Sequence, residues 1–553
     1  MEILARLLNR LLNQMSNWAW PALLLSLTFS LGIIAYAIPR GLDITDESVY
    51  VLLAQPEPDI KLSVIHTQWL FQQINWITNM SFGYRQLRGS RLLISFGAFA
   101  ILAYTLYRER RKDKKTIWLI GGAALSLLLF AGNGRIMSLG YNSLNWTWGA
   151  LLLAAAIQWT RPSKAIWTPV AMGLLLFLMW ITKFTSAMLL GGLVLVLLPA
   201  WVKMPMNKWA RSMAVALICF AASLFLAQSE GHPISPLDFW SYVNAETTGS
   251  HAADSLLQKN LLEFATFYAP LLPVLILGMW SRIRAHEMGV LIRFLLPMAT
   301  LGLAILDLMT LRQFNAGYWM LLGGLAVWNS VQCTDRRRQT VGALLLLAPA
   351  ALITGTDVGW EGHLLPLSGF ALLSAALTAT DRSSWLATLA IPLILLPELV
   401  LHPYRQAPLA QCTETIDITK TGENLKVSPI LFEYLSETRR IAERFPFPLI
   451  GTDRNCGEAM MTSAPIEGEL LWSLESWNTR HAQSWTQHDT LLLALCNTND
   501  QEFLQAQLPA HQWTFVDKVD RRPVLKEMGR YGWGIPEQNA FAVYYLLTRS
   551  NDR

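Results

Sequence analysis

Apolar residues fill the first 401 positions in blocks separated by short polar pieces, and those blocks predict the elements. They fall at about 18–38, 91–107, 117–132, 145–160, 166–182, 185–201, 210–227, 264–281, 288–306, 315–330, 339–354, 364–380 and 385–401, thirteen in all. A helix that crosses a bilayer squarely needs roughly 20 apolar residues, so the shorter blocks borrow flanking polar residues as caps. The segment before the first block, MEILARLLNRLLNQMSNW, is basic and amphipathic and reads as a cytoplasmic surface helix. The first block lacks a small-residue cleavage site, so it reads as a retained span and not a cleaved signal. Past about His402 the pattern changes. Strand-like runs (PFPLIGTD, DTLLLALC, QWTFVDKV, FAVYYLLT) alternate with helix-like ones (SPILFEYLSETRRIAERF, NDQEFLQAQL). The expected architecture is an α-helical polytopic membrane domain, 1–401, followed by a soluble α/β domain, 402–553.

Composition agrees with this pattern. Of 553 residues, 53% are apolar and only 15% charged, whereas a soluble protein carries about 25% charged residues. The 23 tryptophans suit a chain that repeatedly crosses membrane–water interfaces. The small net charge of +5 is gathered in short runs between apolar blocks, which marks topology and not nucleic-acid binding. Alternating the blocks puts 19 Lys and Arg on one side, including the run RERRKDKK, against eight on the other. The positive-inside rule then sets the N-terminus in the cytoplasm and the C-terminal domain outside, which in a bacterium is the inner membrane and the periplasm. Cys412, Cys456 and Cys496 fall in the external domain, where three cysteines allow one disulfide and leave one thiol, with all three pairings open.

Chemistry is expected on the external side. The loop at about 39–90 opens GLDITDESVYVLLAQ. Thr45 suits a helix N-cap, with Asp46 and Glu47 in the first turn, where carboxylates are favoured. This pair either caps an interfacial helix or supplies a general base to an acceptor hydroxyl. LSVIHTQWLFQQINWITNM follows as a second interfacial helix. The stretch GNGRIMSLGYNSLNW places Arg135, Asn142 and Asn145 at a span entrance. Lys183 interrupts 35 apolar residues that are long enough for two spans, and so marks a tight external hairpin. It either snorkels at a helix end or holds a lipid phosphate. His251, Lys259, Arg312 and His363 are further donors on the same side.

Taken together, these features resemble the GT-C superfamily of membrane glycosyltransferases. The likeness is to the bacterial lipid-A aminoarabinose transferases and the protein O-mannosyltransferase-like enzymes. Asp46-Glu47, with Tyr50 following, resembles the family's acidic pair after the first span. Thr182-Lys183 ahead of a run ending LLPAW resembles its Thr-Lys before a long apolar helix, and Leu364-Leu365-Pro366 its late Leu-Leu-Pro. Departures are visible. Asn145 stands four residues after Tyr141 where aminoarabinose transferases carry Asp. Lys61 and His66 only neighbour the basic residue of the family's first loop. His363 replaces an Arg-Tyr pair, and the loop at 228–262 has no arginine.

The resemblance implies an inverting transfer of a sugar from a polyprenyl-phosphate donor to an acceptor glycan or glycolipid. Asp46 would be the base, and Glu47 would orient the acceptor or a sugar hydroxyl. Lys183, with Arg135, His251 or Arg312, would hold the phosphate. Some GT-C enzymes use a divalent metal, but the few carboxylates near Asp46 (Asp43 and Glu47) argue against one here. The expected partners are the donor, the acceptor and membrane lipids, with no nucleic acid. A transporter or flippase would show internal repeats and charges at the bilayer midplane. A sugar-polymer ligase or polymerase more often carries its large external loop mid-chain. The external domain is expected to shape the acceptor entrance and not to hold the catalytic centre.

Overall fold

The computed structural model describes residues 7, 18–43, 46–55, 67–78, 82–109, 122, 138–161, 167–229, 253–284, 286–310, 315–354, 360–379, 383–401, 407–447, 449–452, 456–461, 466–471, 490–495, 505–506, 511–531 and 541–549. The N-terminal amphipathic segment, apart from Leu7, and the block at 117–132, apart from Gly122, lie outside these residues. The chain divides into two compact units. The first takes Met1–Ile33, Leu92–Gly134 and Tyr141–Pro397, and the second Ile34–Arg91, Arg135–Gly140 and Glu398–Arg553.

The first unit is helical. Its apolar blocks form α1 (Ala19–Ala37), and later α5 (Tyr141–Trp159), α6 (Trp167–Thr182), α7 (Phe184–Gly192), α8 (Met206–Ser229), α9 (Ala253–Tyr268), α10 (Leu271–Arg284), α11 (His286–Thr310), α12 (Asn315–Gln332), α13 (Arg336–Ile353), α14 (Leu364–Thr378) and α15 (Ala390–Leu395). Helix α7 runs on through a π-turn at Leu193–Leu197 into Leu198–Trp201. The second unit contributes α2 (Asp46–Leu53), α3 (Thr67–Thr78) and the start of α4 (Tyr84–Glu109), which continues into the first. Among the described residues six helices are long and apolar enough to cross a membrane: Trp20–Ala37, Tyr84–Glu109, Phe184–Trp201, Met206–Ser229, Gln258–Ser281 and Leu291–Thr310. Trp167–Thr182, Leu364–Thr378 and Leu386–Leu395 are apolar but shorter. The stretch Gln258–Ser281, which covers the block read as 264–281, is interrupted by a turn at Ala269 and Pro270 between α9 and α10.

Helix α14 forms the centre of this unit, and every residue of it is buried. It packs on α12 and α13, and Asn329 Nδ2 on α12 donates to the Ala375 carbonyl at 3.2 Å. Gly342 permits the close approach of α13: a Cβ there would sit 2.7 Å from Thr378 Cγ2. Hydroxyls inside the helices bond back one turn, as Ser368 Oγ does to Leu364 O at 2.7 Å and Thr378 Oγ1 to Ser374 O at 2.7 Å. Both hydroxyl protons thus find an acceptor within their own helix.

The C-terminal part of the second unit pairs β1 (Glu414–Ile418) with β2 (Glu423–Val427) as an antiparallel hairpin. Next come α16 (Pro429–Arg444), β3 (Leu449–Thr452), α17 (Cys456–Ala459), β4 (Ile466–Leu471), β5 (Thr490–Leu495), β6 (His511–Asp520), α18 (Arg522–Tyr531) and β7 (Phe541–Arg549). The larger sheet has the order β4-β3-β5-β7-β6. Strand β3 runs parallel to both β4 and β5, and β7 is antiparallel to β5 and β6. Ser428 caps α16, its Oγ accepting from Leu431 N at 3.2 Å, and Pro429 begins the helix where its missing N–H costs nothing. Leu431, Leu435, Thr438 and Ala442 recur at helical spacing and form the buried face. Strands β3, β5, β6 and β7 lie on the four strand-like runs. The helix-like run NDQEFLQAQL lies outside the described residues apart from Gln505 and Ala506.

Candidate functional site

Two clusters of buried polar side chains stand out, one in each unit. The first surrounds α2. Its opening residue is Asp46, whose side chain lies outside the described residues, as does Thr45. Glu47 is fully buried. Its Oε1 accepts from Arg88 Nε at 2.8 Å and from Ser138 Oγ at 2.6 Å, and its Oε2 accepts from Arg88 Nη2 at 2.6 Å. This is a two-pronged guanidinium–carboxylate pair, the geometry that best offsets the desolvation of both ions. Arg88 also donates to the carbonyls of Ile38 (2.6 Å), Arg40 (2.9 Å) and Gly41 (3.0 Å). All five of its N–H groups are thereby placed.

The turn before α2 is held in the same way. Asp43 Oδ2 accepts from Glu47 N at 3.3 Å, and Ser48 Oγ donates to Asp43 O at 2.9 Å while lying 2.8 Å from Tyr84 Oη. Gly140 has no room for a side chain, since a Cβ would sit 2.6 Å from the Tyr50 ring. Asn75 of α3 donates to Ala54 O at 3.0 Å and closes the far end of α2. Cys412 is a free thiol in this unit. Burial pushes it up to about 11, against a downward pull from the Gly41 backbone.

The second cluster is the turn at Lys183. This residue alone parts α6 from α7, in an extended conformation (φ −158°, ψ 97°). The chain folds back there, because a Cβ on Gly191 would lie 3.0 Å from Leu176, fifteen residues earlier in sequence. Lys183 is 8% exposed, and its Nζ donates to Leu352 O at 2.7 Å and Ile353 O at 2.8 Å. These are the last carbonyls of α13, where the helix dipole favours a cation. Leu352 O also accepts from Asn145 Nδ2 at 2.9 Å and Ser186 Oγ at 3.0 Å, and Thr185 Oγ1 donates to Thr354 O at 2.7 Å. An ammonium has three protons, so the two carbonyl bonds leave the third to another acceptor.

The structure therefore brings Asn145 and Lys183 onto one carbonyl. Asn142 is buried on α5, one turn before Asn145. His363 is also buried and ends the 3-10 turn Trp360–His363 ahead of α14, its ring 6.4 Å from that of Trp146. Arg135, His66, His251 and Arg312 lie outside the described residues. Among the described residues no three His, Cys, Asp or Glu side chains gather as metal ligands would.

Sequence reasoning passed over several partners. Arg85, Arg88 and Arg91 recur every third residue at the head of an apolar run, a spacing that shares a helix face, and this was a usable signal. Ser138 gave none. Glu109 accepts from Arg161 (2.7 Å) and Arg337 (2.7 Å), which ties the ends of α4, α5 and α13 together. Asp307, fully buried near the end of α11, accepts from Tyr318 Oη at 2.8 Å.

No protein-family model matches the chain, and no curated protein matches it. Among solved structures the chain is similar to ArnT from Cupriavidus metallidurans bound to undecaprenyl phosphate. The two are 14% identical, 94% of this chain and 97% of that one are covered, and the TM-score is 0.45. The apo state of the same ArnT gives 13% identity, the same coverage and a TM-score of 0.43.

Proposed function

We propose that this protein is an inverting membrane glycosyltransferase that moves a sugar from a polyprenyl-phosphate donor to an acceptor glycan or glycolipid. The observation that carries the reading is the fixing of α2: Glu47 is clamped by Arg88, so Asp46 beside it starts a helix whose orientation is set. Adjacent positions on a helix are about 100° apart, so the clamp on Glu47 does not take up the position of Asp46. In the proposed reaction the acceptor hydroxyl oxygen attacks the anomeric carbon. The bond from that carbon to the phosphate oxygen breaks, the polyprenyl phosphate leaves with the electron pair, and the hydroxyl proton passes to Asp46. Lys183 would offer its third N–H to the phosphate, and Asn145 holds the carbonyl on which that lysine rests. Arg135, His66, Asn142, His251, Arg312 and His363 remain proposed substrate contacts.

The reading includes thirteen spans in a bacterial inner membrane, a cytoplasmic N-terminus, a periplasmic α/β domain at 402–553, and transfer without a metal ion. The test uses purified full-length protein in nanodiscs, a labelled polyprenyl-phosphate sugar and lipopolysaccharide as acceptor. Asp46→Asn should lower turnover by roughly 10²–10⁴ at saturating substrates, and transfer should survive EDTA. Near-normal turnover in that variant removes Asp46 as the base. A second reading, a transporter for a lipid-linked saccharide, draws on Asp307, because a buried acid in an apolar helix is a common mark of ion pathways. Flux of labelled donor into vesicles that stops in Asp307→Asn, with no transfer detected, would favour it.

A further inference from the structure

The segment between α1 and α2 is gripped from two sides. On one side are the Arg88 bonds to the carbonyls of Ile38, Arg40 and Gly41, from a guanidinium that also holds Glu47. On the other side is the β1–β2 hairpin, some 370 residues later in sequence. Lys426 N donates to Pro39 O at 3.0 Å, and Gly41 N donates to Lys426 O at 2.7 Å, so residues 39–41 add a short parallel strand to β2. Lys426 faces Thr415 in the hairpin, but its N–H and C=O point away from β1 and serve this segment. Gly41 has φ 72°, a left-handed conformation that glycine adopts without strain.

The same strand grips the start of α4. Glu423 Oε2 accepts from Arg85 N at 3.3 Å, and Asn424 O accepts from Arg85 Nη2. Gly83 admits the Glu423 carboxyl, which stands where a Cβ would otherwise be. Helix α17 packs against α2 itself. Hairpin, linker, arginine and acidic helix thus form one continuous hydrogen-bonded chain within the second unit.

We propose that the β1–β2 hairpin is a brace that sets α2, acting through residues 39–41 and Arg88, so that Lys426 and Arg88 are positioning residues for Asp46. The C-terminal region then governs the chemical step itself, beyond shaping an acceptor entrance. The positioning role rests on the proposed transfer, whereas the brace does not. The first test needs no variant. In native-state hydrogen exchange of the full chain under mild denaturant, the amides of Glu47–Leu53 and of Glu423–Val427 should open together. Opening at separate denaturant concentrations overturns the brace.

The second test is Lys426→Pro, which removes one N–H that the hairpin does not use. Exchange of the α2 amides should rise roughly tenfold, the worth of about one hydrogen bond, with α8 unchanged. Turnover should fall about as much while the donor KM stays within roughly twofold. Arg88→Lys keeps the charge and loses the fork, and it should give the same split if the proline variant does not fold. Unchanged α2 exchange in the variants that fold overturns the proposal. Faster exchange with unaltered turnover also overturns it, provided that Asp46→Asn is inactive. If Asp46→Asn is active, the transfer reading fails, and the exchange data still decide the brace.

Discussion

Both clusters bury a charge, but they neutralise it differently. Around α2 the carboxylate of Glu47 meets an opposite ion, and every donor of Arg88 is engaged. At the hairpin turn the Lys183 ammonium donates to two carbonyls at the end of α13, Leu352 O and Ile353 O. An ion–ion pair closes on itself and has little left for a substrate. A cation resting on a helix end keeps its charge in part uncompensated, because helix-end carbonyls carry only about half an elementary charge. The comparison therefore assigns Glu47 to holding the fold and leaves Lys183 able to meet an anion. Glu47 was expected to orient an acceptor, but the structure engages it with Arg88 and Ser138.

The largest effect should come from breaking the ion pair on one side. Arg88→Met leaves a buried carboxylate without its partner and should cost about 3–5 kcal/mol. The double variant Arg88→Met with Glu47→Leu should recover much of that loss. Thermal unfolding in detergent would check both. If the double variant is no more stable than the single one, the pair is not the source of the cost. Cys412 offers a second gauge of the same cluster. Its thiol is pushed from 9.0 to about 11 by burial, so it stays protonated below that pH. The thiolate is the reactive form, so iodoacetamide should label it roughly a hundredfold slower than an exposed thiol at pH 8, with the rate still climbing toward pH 11. Arg88 is among the charges that pull this thiol down, so in an Arg88→Met variant that still melts cooperatively, labelling at pH 8 should slow further.

Next in size is the lysine. Lys183→Met removes two charge-assisted bonds to carbonyls and should lower stability by about 1.5–3 kcal/mol. Lys183→Gln separates the two roles, because a neutral amide can still donate to Leu352 and Ile353. It should keep most of the stability while donor affinity falls roughly tenfold to a hundredfold. Unchanged donor affinity in Lys183→Gln would confine the lysine to capping α13.

How much of this was legible follows from sequence separation. The apolar block at 18–38 became Ala19–Ala37, and the acidic pair begins a helix as its first-turn carboxylates implied. Both signals are local. The hairpin at Lys183 was legible because a lone charge in 35 apolar residues has few other places to go. What the charges bind was not legible. Glu47 finds Arg88 41 positions away and Ser138 91 positions away, and Lys183 finds carbonyls 169 and 170 positions away, which carry no side-chain signature at all. The hairpin strands β1 and β2 were missed for a related reason. Glu414–Ile418 and Glu423–Val427 are short and half polar, and they gain their place by pairing with each other and with residues 39–41.

The smallest prediction sets Lys183 against a second lysine in the same helical run. Lys203 follows Leu198–Trp201 with φ 52°, the only non-glycine residue with positive φ among the described residues. Its N–H donates to Ala200 O at 3.2 Å, and Met204 N donates to Pro199 O at 2.9 Å. That crossed pair of bonds is a Schellman cap, with Lys203 in the position where glycine is most common. A left-handed residue with a Cβ costs roughly 1 kcal/mol relative to glycine. The conformation at Lys183 is extended and suits any residue, so its lysine is there for the side chain. The backbone at Lys203 disfavours any side chain. Lys203→Gly should therefore raise stability by up to about 1 kcal/mol, a gain reduced by the extra freedom glycine has when unfolded. Lys183→Gly should lower stability by more than Lys183→Gln does. Thermal unfolding of the three variants side by side would check this, and a loss of stability in Lys203→Gly would show that the Lys203 side chain has a contact of its own to keep.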